Sequence, residues 1–150
     1  MDVYSRLAVK PRGKAAIASH LATEMVECYM LVAFTFRAKV GKEEELERLL
    51  DNPESGLRIA KALGAIRNAL FLGNGRIVRI FEFPEGVKPM TMTDLARKDP
   101  KVKEFLRSLS TVIEDGFDVG NLETLDDFSR RSSLRLAYDV RSEFAEKSSN

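Results

Sequence analysis

At 150 residues, 44% hydrophobic and 31% charged, the chain has the size and make-up of one soluble domain with a genuine core. Its 24 basic and 23 acidic side chains nearly cancel, which excludes the strongly basic footprint of an ordinary nucleic-acid binder. One cysteine, Cys28, and one histidine, His20, exclude an internal disulfide and furnish too few ligands for a zinc site.

No long apolar run and no signal-like start occur, so a cytoplasmic protein without a membrane or nucleic-acid partner is expected. Residues 1–13, with Pro11 and Gly13, read as an arm. Residues 14–27 place Ile17, Leu21 and Met25 four apart, the spacing of a helix docked on an apolar surface. His20 falls near the edge of that stripe. It reads first as a helix residue of structural kind, and second as a candidate proton carrier, since imidazole titrates near neutral pH. Cys28 reads as a packing residue.

Residues 29–40 alternate as a strand. Met30, Val32, Phe34 and Phe36 share one face; Leu31, Ala33, Thr35 and Arg37 share the other, whose small and polar members suit the wall of a cavity. Gly41 opens a helix with Glu43, Glu44 and Glu45 in its first turn, where carboxylates complement the helix dipole. Asn52-Pro53 interrupts it, and residues 57–63 form a further helical piece.

Residues 66–83, IRNALFLGNGRIVRIFEF, are the clearest structural statement in the chain. Two β-rich runs flank Gly73-Asn74-Gly75, a strong hairpin signal. In the second run Ile77, Arg79, Phe81 and Phe83 oppose Val78, Ile80 and Glu82; both faces are largely apolar, predicting a central strand covered on both sides. Arg79 is the exception. A guanidinium there needs either a carboxylate, such as Asp139 or one from a partner subunit, or a wet cavity.

A loop with Pro84, Gly86 and Pro89 leads to a helix broken at Asp99-Pro100, whose second piece aligns Val102, Phe105, Leu106, Leu109, Val112 and Ile113. Residues 116–127 read as a connector with a helical turn around 122–128. A last strand is expected over 134–140, with Leu134, Leu136, Tyr138 and Val140 opposing Arg135, Ala137 and Asp139.

With the 14–27 helix set aside, the order is strand, helix, strand, strand, helix, strand. That is an α+β chain with a ferredoxin-like βαββαβ antiparallel sheet. The expected division is an arm and helix over 1–27, the domain over 28–141 and a polar tail over 142–150. Two helices cover one face of such a sheet, and a second copy is the simplest cover for the other, giving a homodimeric α/β barrel. The 14–27 helix is the alternative cover.

The strand GRIVRIFEF, the acidic loop after it, LARKDPKVKEFLRSL and FDVGNLETLDDF resemble the SchA/CurD-like family that accompanies polyketide synthase clusters, including spore-pigment clusters. Residues 64–140 are also similar in layout to tetracenomycin-type aromatic polyketide cyclases. The resemblance spans roughly residues 29–141 and implies a dimeric barrel that cyclises a poly-β-ketone without metal or organic cofactor. It also implies polyketide synthase components as partners. His20 lies outside the matched stretch.

Aldol cyclisation removes a proton between two carbonyls, attacks a third and loses water. A protein must therefore supply an apolar slot, a cation or donor for the enolate, and a modest base. Candidates for the slot are Leu31, Ala33, Thr35, Ile77, Phe81 and Tyr138, with Arg67 and Asn68 orienting carbonyls. Arg79 and Arg37 are the candidate enolate stabilisers; His20, Glu82 and Asp139 are the candidate bases, although Glu82 opposes Arg79 on a regular strand. A cofactor-independent anthrone-type monooxygenase and a non-catalytic small-molecule-binding or assembly protein are the alternatives on the same barrel.

Overall fold

The computed structural model describes residues 29–140. The expectations for the 14–27 helix, His20, Cys28 and the 142–150 tail lie outside those residues. Strand β1 (Tyr29–Arg37) forms where the alternation places it. Helix α1 (Glu43–Leu50) begins with the three glutamates and buries Leu46 and Leu50. The Asn52-Pro53 break then starts α2 (Pro53–Leu63): the Asn52 side chain accepts from the Ser55 N–H at 3.0 Å, and Pro53 occupies an early position that needs no N–H.

The hairpin is present as β2 (Arg67–Gly73) and β3 (Arg76–Pro84). Asn74 and Gly75 carry φ of 52° and 68°, the paired left-handed conformations that a two-residue turn requires between twisted strands. After the loop, α3 (Met92–Lys98) stops at Asp99, whose side chain caps α4 (Pro100–Val112) by accepting from the Lys101 N–H at 2.9 Å.

Two expectations near the C-terminus are corrected. The connector is a full helix, α5 (Leu122–Ser132), not a single turn. Asp127 pairs with Arg130 and Arg131 one turn later, and Phe128 packs against Phe36 and Phe117 with ring centroids 5.6 and 5.1 Å apart. The strand expected over 134–140 is reduced to β4 (Ser133–Leu134), because α5 runs on through Ser132 and the residues beyond Leu134 do not pair. Arg135, Ala137 and Asp139 are weak strand formers, and Tyr138 and Val140 are left 80% and 77% exposed.

The four strands form one antiparallel sheet in the order β2-β3-β1-β4, consistent with a ferredoxin-like chain. Residues opposite one another in adjacent strands share a face. Met30, Val32, Phe34 and Phe36 stand beside Phe83, Phe81, Arg79 and Ile77, and Asn68, Leu70 and Leu72 join them from β2. This face holds the core: Val32, Ile77, Phe81 and Phe83 are buried with Leu46, Ile59, Leu106 and Leu125 of the helices. On the other face Leu31, Ala33, Val78, Ile80 and Ala69 are only half-buried and Phe71 is exposed. Among the described residues one face of β3 is covered; the cover expected on its other face, a second copy or the 14–27 helix, lies outside them.

Candidate functional site

Arg79 lies mid-strand on the helix-covered face, between Leu70 of β2 and Phe34 of β1. Its guanidinium carbon stands 5.4 Å from the centroid of the Phe81 ring. Nε donates to Asn68 Oδ1 at 3.0 Å, and Asn68 Nδ2 donates to the Gly56 carbonyl of α2 at 3.0 Å. Among the described residues no carboxylate lies within ion-pair distance, so the expected pairing with Asp139 is replaced by the Asn68 amide; Asp139 itself is exposed in the segment after β4. Burial lowers the Arg79 pKa to about 10, which still leaves it charged at neutral pH.

Every buried side-chain nitrogen and oxygen among the described residues has a partner. The terminal nitrogens of Arg79 make no such bond, so they reach open space. That space is a pocket of about 550 Å³ between α2 and the hairpin. Leu50, Ala60, Leu70 and Leu72 make its apolar lining, with Asn68 and Arg79 at its polar centre. Lys61 and Arg79 outnumber Asp51, the one carboxylate among the described pocket residues, so the field inside favours an anion.

The structure brings two of the expected side chains into this pocket, Arg79 and Asn68; Arg67 borders it, but its guanidinium lies on the opposite face of the sheet beside Glu82, and the others are divided. A slot formed jointly by Leu31, Ala33, Thr35, Ile77 and Phe81 is excluded by the register, because the first three stand on the opposite face from the last two. Ile77 and Phe81 are core residues at 1% and 4% exposure, and the Thr35 hydroxyl donates to the Ile77 carbonyl at 2.9 Å. Arg37 is directly opposite Arg76 at the end of the sheet and lines a separate pocket of about 250 Å³ with Asp115 and Arg131. It does not act beside Arg79. Tyr138 is exposed and lines neither pocket. Glu82 is on the far face from Arg79, as the alternation requires, with Arg67 at 3.9 Å.

The sequence reading passed over the α1–α2 side of the pocket: Asp51, Asn52, Gly56 and Lys61. The signal was the Asn52-Pro53 break, which turns the backbone at the pocket wall, but nothing in a helix break says which strand it faces. No protein-family model matches the chain, and no curated protein does either.

Proposed function

We propose that the chain binds a small enolisable poly-β-ketone at Arg79 and holds it folded for aldol cyclisation, a polyketide cyclase-like role that needs no cofactor. A half-buried cation that meets no carboxylate among the described residues, opening into an apolar pocket, carries this reading. Desolvation strengthens the attraction of that guanidinium for a developing enolate, and its position is already fixed before substrate arrives. A pocket of about 550 Å³ has room for a compact polyketone.

Asp51, the one carboxylate among the described pocket residues, is exposed to solvent and makes no hydrogen bond with Arg79 or Asn68. That favours holding and charge stabilisation over proton abstraction, and makes a non-catalytic carrier of such molecules the second reading. The proposal includes a homodimer through the sheet face of Leu31, Ala33, Val78 and Ile80, and polyketide synthase components as the source of the chain.

The test is to mix the full-length protein with a synthetic poly-β-ketone and follow dehydrated, cyclised product by mass spectrometry, with and without dioxygen. Oxygen-independent acceleration that falls roughly a hundredfold in Arg79→Met is the expected result. Binding without acceleration would establish the carrier instead, and product that forms only with dioxygen would establish a monooxygenase. No binding would overturn the reading of the pocket.

A further inference from the structure

Asn68 is held at both ends. Its Oδ1 accepts from Arg79 Nε and its Nδ2 donates to the Gly56 carbonyl, each at 3.0 Å. These two partners fix which end is oxygen, since a guanidinium only donates and a carbonyl only accepts. The amide therefore ties the guanidinium plane on β3 to the backbone of α2. With Nε occupied, the side still available is the end-on pair of terminal nitrogens, which are not sealed from solvent on a residue that lines the pocket.

We infer that Asn68 is a positioning residue that turns Arg79 into a two-pronged receptor for a planar anion with two adjacent oxygens, a carboxylate or an enolised 1,3-dicarbonyl. Two parallel N–H donors match two coplanar oxygens, a geometry that a lone ammonium or a freely rotating guanidinium does not hold. Leu70 on β2 and Phe34 on β1 flank Arg79 and give its plane no other polar partner. The inference rests on the reading of this pocket as a ligand site and adds the shape of the ligand's charged group.

The experiment titrates benzoate, its neutral isostere benzamide and inorganic phosphate into the full-length protein, read by heteronuclear NMR with the Arg79 Nε–H resonance as reporter. Wild type is expected to bind benzoate in preference to both others. Asn68→Ala leaves the charge but frees its plane, so benzoate affinity falls about tenfold and the preference over phosphate collapses. Asn68→Asp supplies an internal carboxylate to Arg79, so benzoate binding is lost while Tm holds or rises, a combination that mere structural damage does not produce. Undiminished selectivity in Asn68→Ala overturns the positioning role and leaves the pocket reading standing. A wild type that binds none of the probes overturns both.

Discussion

At the scale of single residues, the fold tolerates at Arg79 a charge that it would be more stable without. Burial that lowers the Arg79 pKa to about 10 amounts to roughly 3 kcal/mol against the charged form, reduced in practice because the terminal nitrogens are not sealed from solvent. The unfolded chain binds this proton more tightly, so the penalty is fully present below pH 10 and is relieved only as pH climbs above it. Arg79→Met removes the penalty and also the bond to Asn68 and the contact with Phe81. The expected net at pH 7 is a gain of about 1 kcal/mol, seen as a Tm higher by roughly 4 °C in thermal denaturation. A lower Tm would show that the guanidinium holds the pocket together and is not merely tolerated by it. Gain of stability with loss of binding is the pattern of a group kept for function.

At the scale of elements, the hairpin and the α1–α2 break position the site, and both rest on local chemistry. Gly75 has φ of +68°, and a Cβ there would stand 2.9 Å from Glu43 Cγ at the start of α1. Glu43 can swing away, so the backbone strain dominates, and Gly75→Ala is expected to cost about 1 kcal/mol in urea denaturation. Asn52→Ala removes the cap of α2 and is expected to cost a similar amount, about 1 kcal/mol, with weaker ligand binding because α2 carries the Gly56 carbonyl that holds Asn68. A variant that loses stability with ligand affinity intact would separate the cap from the site. Such turn and cap signals were legible in the sequence: Asn74-Gly75, Asn52-Pro53 and Asp99-Pro100 each end or begin an element where they are expected to. Alternation also put Arg79 and Glu82 on opposite faces. What alternation cannot supply is the phase of one strand against another. Leu31 and Ala33 therefore looked like companions of Ile77 and Phe81 until the register set Val32 beside Phe81. The last strand misled for a related reason, since the pattern over 134–140 is strand-like but only Ser133 and Leu134 pair with β1.

At the scale of the molecule, the proposed dimer accounts for the sheet face that none of the described helices covers. Ile80 is at its centre, with Ala33 of β1 on one side and Ala69 of β2 on the other, so small neighbours leave it standing above a flat surface. Phe71 and Leu134, 60% and 40% exposed, extend the apolar surface toward both edges of the sheet. Glu82 and Arg67 face each other at 3.9 Å on the same side, so the surface carries a charge pair of its own. Two such faces brought together would desolvate Ile80 on both copies, whereas in a single copy it is only half-buried. Ile80→Asp should consequently be inexpensive in a monomer and cost several kcal/mol in a dimer, where the carboxylate would be dry and unpaired. Native mass spectrometry and sedimentation are expected to show wild type as a dimer and Ile80→Asp as a folded monomer. The Arg79 pocket opens on the other side of the sheet, toward α2, so the monomer should keep its affinity for a planar anion. A monomeric wild type would remove the second copy as the cover and return the face to the helix that the sequence predicts over 14–27. A dimer unaffected by Ile80→Asp would move the interface elsewhere. Loss of anion binding on dissociation would mean that the sheet transmits strain from one face to the other, which the continuous β2–β3–β1 ladder is stiff enough to do.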